Sequence, residues 1–122
     1  MQEDSTVEAR LKGCSAQDRV IICPVVRGEI LFGIRRLPTG KRRRKLNSIA
    51  NLLFSKIPCE AIPEEAGDHY ASVKVACRQK GLPLGENDLW IAATALASGA
   101  TLVTRDADFQ SVDNLPTADW SV

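Results

Sequence analysis

Gly85-Glu86-Asn87-Asp88-Leu89-Trp90-Ile91-Ala92-Ala93-Thr94-Ala95-Leu96-Ala97-Ser98-Gly99-Ala100-Thr101-Leu102-Val103-Thr104-Arg105-Asp106 is the stretch whose reading decides the fold. Residues 87–98 are apolar on almost every side, which predicts a buried helix. Gly99 supplies its stop, and residues 101–104 form a short strand immediately after it. Two carboxylates stand at the edges of this unit. Asp88 falls in the first helical turn, where the macrodipole favours an anion. Asp106 follows the strand, and in open α/β sheets the ligand crevice lies outside the carboxyl ends of strands.

The same alternation extends outward. Residues 63–80 predict a long helix opened by Pro63, with Ala66, Tyr70, Val73 and Cys77 on one face and Gly81 as its stop. A proline-bearing edge strand is expected over 57–62, preceded by an amphipathic helix over 41–55 in which Leu46, Ile49, Ala50 and Leu53 share a face. Pro24 opens a helix to about residue 37, and residues 19–23 read as a buried strand. Ser5-Thr6-Val7-Glu8 is a capping box for a short helix ending near Gly13. Beyond Asp106 come a turn at 108–110, which Asp108 is expected to cap, and a last strand over 117–120. Strands alternating with helices predict an α/β class: one domain, 1–122, with a mainly parallel sheet covered on both faces.

Composition narrows the function. The 122 residues are 44% hydrophobic and 25% charged, ordinary for a soluble globular chain. No stretch is long enough to span a bilayer and no signal peptide opens the sequence, so a cytoplasmic protein is expected. The four cysteines are scattered and only one histidine exists, which argues against zinc; Cys23, Cys59 and Cys77 are expected as small core residues. Net charge is +1, yet Arg35, Arg36, Lys41, Arg42, Arg43, Arg44 and Lys45 are bunched. Such a block either solvates a helix start or contacts phosphates, with Arg42, Arg43 and Arg44 as candidate nucleic-acid-binding residues.

Glu29 completes the acidic set. On a helix its neighbours are Val25, Val26, Phe32 and Gly33, apolar company in which a carboxylate is costly unless it is paired or binds a cation. Glu29, Asp88 and Asp106, separated by 59 and 18 residues, are expected to converge on one divalent-cation site. A structural salt bridge from Glu29 to Arg27 or Arg105 is the alternative.

Three segments together resemble PIN-domain ribonucleases, specifically the VapC toxins of type II toxin–antitoxin pairs. They are Gly28-Glu29-Ile30-Leu31-Phe32-Gly33, Pro83 through Ala93, and Leu102-Val103-Thr104-Arg105-Asp106-Ala107-Asp108-Phe109, with Ala118-Asp119-Trp120 fitting at the end. The resemblance implies a PIN-like three-layer sandwich and an Mg²⁺- or Mn²⁺-dependent endoribonuclease that attacks RNA phosphodiesters with an activated water. It assigns Glu29, Asp88 and Asp106 to catalysis and metal binding, with Thr104, Asn87 and Asp108 in support. It also implies a VapB-like antitoxin, a homodimer, and an RNA substrate, transfer RNA included. Leu11, Ile34 and Leu37 are candidate apolar contacts for those partners.

Members of that family open with a central strand ending in Asp-Thr-Asn, and nothing in this sequence matches it. Either the true start lies upstream of Met1, or the sequence is a shortened form lacking the first strand and one carboxylate. A catalytically impaired remnant that only binds antitoxin or itself is the alternative function. On that reading this form should cleave RNA poorly, and restoring the strand should raise its activity. A phosphoacceptor receiver domain fits worse, since it needs an early acidic pair and a strand-borne lysine.

Overall fold

The computed structural model describes residues 21–104 and 106–119, so the expected capping box and helix near Ser5, the first residues of the 19–23 strand, Leu11, Cys14, Arg105 and Trp120 lie outside the described residues. The chain divides into two compact units, one of residues Ile21–Ile62 and the other described from Pro63 onward.

In the Ile21–Ile62 unit, two helices pack as a pair: α1, Pro24–Arg35, and α2, Lys41–Lys56. Pro24 stands at the first helical position, where its missing N–H costs nothing. Ile34 and Ala50 are the buried residues of the pair. The Arg27 guanidinium lies 4.2 Å from the centre of the Phe54 ring, a cation–π contact from one helix to the other. The expected strands at 19–23 and 57–62 reduce, among the described residues, to a single parallel bridge between Ile22 and Cys59. The Ile22 N–H donates to the Pro58 carbonyl at 2.9 Å and the Glu60 N–H to the Ile22 carbonyl at 3.0 Å. Pro58 has no N–H to extend such a ladder.

Ile34 is 6% exposed and serves the core, which removes it from the candidate partner contacts, while Leu37 is half-buried. Cys23 and Cys77 are buried as expected; Cys59, the bridge partner of Ile22, is exposed instead.

The second unit is built on α3, Ala66–Lys80, and α4, Glu86–Ser98, which pack extensively. Pro63 lies in the turn leading into α3, and i→i+3 bonds from Ala66 to Pro63 and from Gly67 to Glu64 begin the winding. Gly81 and Gly99 terminate the two helices in the left-handed conformation, at φ of 69° and 62°, which glycine adopts without a Cβ clash.

From α4 the buried set is Leu89, Ile91, Ala92, Ala93, Thr94 and Ala95, matching a helix apolar on most sides. Thr94 is satisfied: its hydroxyl donates to the Trp90 carbonyl at 2.7 Å. Val73, Cys77, Leu89, Ala92, Ala95, Phe109, Val112 and Leu115 form one core, against which Leu102 packs. After Gly99, β1 (Leu102–Val103) pairs in parallel with β2 (Thr117–Ala118). A 3₁₀ turn, Ala107–Ser111, links them and buries Phe109. This is an α/β arrangement with a parallel strand pair.

Candidate active site

Asp106 is placed by three local bonds. The Thr104 N–H donates to the Ala118 carbonyl at 2.9 Å, anchoring the end of β1. The Thr104 hydroxyl oxygen then accepts the Asp106 N–H at 3.0 Å. Asp106 in turn caps the 3₁₀ turn, its Oδ1 accepting the Asp108 N–H at 2.9 Å. Thus Asp106, not Asp108, is the cap, because it is the residue that precedes the turn in extended conformation. Its carboxylate is exposed at the strand's carboxyl end, with Oδ2 free of hydrogen bonds among the described residues.

Asp88 is half-buried at the third position of α4. The left-handed turn at Gly99 sends the chain back from α4 into β1, and Leu102 joins the same core as Leu89 and Ala92. Asn87 and Asp108 are exposed.

The start of α4 is held by groups that sequence reasoning passed over. Lys74 Nζ on α3 donates to Glu86 Oε1 at 2.7 Å and to the Tyr70 hydroxyl at 2.9 Å, while that hydroxyl donates to Glu86 Oε2. The Lys74 hydrogen bond, and next that of Tyr70, holds the Glu86 carboxyl below the usual carboxylate range; the Glu86 bond likewise raises Lys74. One ring stack, Tyr70 on Trp90, closes the same corner. The i, i+4 pairing of Tyr70 and Lys74 on one helix was the available signal.

Glu29 sits in the other unit, on α1, and is exposed rather than desolvated. Its apolar neighbours do not form a core face: Phe32 is 70% exposed, and buried Ile34 lies about 140° around the helix from Glu29. Arg27, the suggested salt-bridge partner, is turned to Phe54. Among the described residues no three His, Cys, Asp or Glu side chains stand together as a ready metal site. A groove of about 270 Å³ that includes His69, Cys77, Lys80 and Asp113 lies elsewhere in the second unit and contains none of the three carboxylates.

The PIN domain profile matches residues 2–115. The sequence is 39% identical over 116 residues to Ribonuclease VapC1 of Haemophilus influenzae strain R2866, spanning 94% of this chain and 84% of that protein. It is 28% identical over 102 residues to Ribonuclease VapC2 of Rickettsia felis, spanning 83% and 74%. The fold superposes with a TM-score of 0.77 and 26% identity on the crystal structure of VapBC2 from Rickettsia felis bound to a promoter DNA fragment, covering 95% of this chain and 83% of that one. VapBC-1 from nontypeable Haemophilus influenzae gives a TM-score of 0.78 at 24% identity, over 97% and 87%, a likeness of fold.

Proposed function

Because the chain belongs to the PIN-domain family, among its VapC-type members, we propose that it is a ribonuclease toxin restrained by a VapB-type antitoxin. The observation that carries the reading is the placement of Asp106. A strand end, a threonine hydroxyl and a 3₁₀ cap together fix one exposed acidic side chain at the carboxyl end of a strand, in the unit that also bears Asp88 at the start of a helix.

The donor set suits the expected cofactor. Glu29, Asp88 and Asp106 offer hard carboxylate oxygens, and Mg²⁺ or Mn²⁺ binds through one or two such groups with water and substrate phosphate completing the shell. On their sequence motifs and donor chemistry we assign Asp88 and Asp106 as its ligands; for Glu29, exposed on α1, the ligand role rests on the resemblance alone. When bound, a divalent cation supplies Lewis acidity toward the phosphodiester and eases loss of a proton from the attacking water.

The chain's own groups do the positioning. Asp106 is immobilised on one oxygen by the Asp108 amide, which leaves Oδ2 to act without first ordering the side chain. Asp88 is favoured as an anion by the helix start. Thr104 orders the backbone that presents Asp106. Asn87 and Asp108, both exposed, are assigned as outer hydrogen-bonding groups to water or substrate. Cleavage is then hydrolytic: water oxygen bonds to phosphorus as the ester oxygen departs with a proton.

For the antitoxin we assign Phe32, whose ring on α1 is left to water and offers a large apolar anchor. A homodimer is part of the same reading. The test is to incubate the purified chain with RNA and Mn²⁺, alone and with its co-expressed antitoxin. Cleavage that the antitoxin suppresses supports the function; an intact substrate together with antitoxin binding would leave the chain a binding module.

A further inference from the structure

The net charge of +1 conceals a division between the units. Residues 21–62 hold nine Lys or Arg against two Asp or Glu, a net +7; the remainder holds seven against thirteen, a net −6. From this division we infer that α2 binds the RNA backbone, with Lys41, Arg44 and Lys45 as its principal phosphate contacts. The inference rests on the ribonuclease reading only for the choice of RNA as the polyanion.

Three observations support that face. Lys41, Arg44, Lys45 and Ser48 follow at i, i+3, i+4 and i+7, so they share one side of the helix, and all four are exposed. Buried Ala50 lies on the opposite side. Arg35, Arg36, Lys41, Arg42, Arg44 and Lys45 make no ion pair among the described residues, so their charge is not spent within the fold. By contrast, Arg27 is committed to Phe54, and half-buried Arg43 donates Nη1 to the Leu37 carbonyl at 3.4 Å. Arg43 therefore belongs to the α1–α2 connection, which narrows the triplet suggested by sequence.

The arrangement is also wrong for stability. α2 has no acidic residue in its first turn and no side-chain cap from Gly40, yet it opens with five cations at the positive end of its own dipole. A helix start built for stability carries acids. Cations concentrated there serve an incoming anion, for which the uncapped N–H groups are further donors.

This opposition gives a test in which a structural role and a binding role move in opposite directions. The full chain is measured in EDTA, by fluorescence anisotropy, against a labelled single-stranded RNA of about 20 nucleotides. Lys41→Glu/Arg44→Glu/Lys45→Glu should weaken binding about tenfold or more at low salt and reduce the slope of log Kd against log salt by about 2, roughly 0.7 per lost phosphate contact. Its thermal midpoint should stay equal or rise, because glutamates suit that helix end. Arg78→Gln, in the acidic unit, should leave both readings unchanged. If the glutamate variant fails to fold by circular dichroism, Lys41→Gln/Arg44→Gln/Lys45→Gln should show the same loss in smaller degree.

Unchanged affinity and slope in the folded variants would overturn the inference. Displacement of RNA by poly-glutamate at equal charge would also overturn it, in favour of an acidic polypeptide. RNA held through α2 by a chain that cleaves nothing would sink the ribonuclease reading and leave this one standing. Cleavage with KM untouched by the triple substitution would do the reverse.

Discussion

The Tyr70 ring lies on the Trp90 indole, centroids 4.2 Å apart and planes 13° from parallel, and so ties α3 to the first turns of α4, the helix that carries Asp88. Stacked aromatic pairs contribute about 0.5–1.5 kcal/mol beyond the area they bury. A double-mutant cycle with Tyr70→Leu and Trp90→Leu, followed by urea unfolding, should return a coupling of about 1 kcal/mol. Additive substitutions would mean that the stack does not fix the helix start.

Asp106 has a capping role and a proposed chemical role, and two substitutions separate them. Asp106→Asn keeps an oxygen for the Asp108 amide but removes the charge, so stability should hold while ribonuclease activity falls by orders of magnitude. Asp106→Ala should lose activity and also about 1 kcal/mol of stability. Thermal unfolding and an RNA cleavage assay on both variants read the two roles independently.

Stability should depend on pH through Lys74 and Glu86. The Glu86 carboxyl is depressed by its partners, so its contribution is present above its unfolded pKa and lost as pH falls through the lower folded value. Lys74 is raised, so its contribution is full below its unfolded pKa and lost as pH rises through the higher folded value. The difference in urea midpoint between the natural chain and Lys74→Met should therefore be largest near neutrality and shrink at both extremes. A difference independent of pH would assign the effect to packing.

Much of the fold was legible because its signals are local. The apolar run after Glu86, the stops at Gly81 and Gly99 and the strand at Leu102 are each set by neighbours a few residues away. Where long-range geometry decides, the local sequence is a poorer guide. The company of Val25, Val26 and Phe32 predicts a desolvated Glu29, but the buried face of α1 runs through Ile34. Cys59, a core residue by its sequence setting, is exposed at its bridge to Ile22. Tyr70, Lys74 and Glu86 meet only because α3 and α4 pack, which no single helix announces.

The left-handed stop at Gly99 ends α4 and lets the chain enter β1 three residues later. Nothing lies within 4 Å of a Cβ added there, so Gly99→Ala should cost only the backbone conformation, about 1 kcal/mol. A much larger loss in chemical denaturation would show that the turn repacks.

The central claim is that Asp88 and Asp106 serve one hydrolytic site for RNA. Its most direct test is cleavage of a labelled RNA by the purified chain with Mn²⁺, comparing the natural sequence with Asp88→Asn and Asp106→Asn under a matched EDTA control. Hydrolysis that requires the cation and is lost to a similar extent in both variants, with folding intact, is the expected result. Cleavage that persists in either folded variant, or in EDTA, would contradict the account.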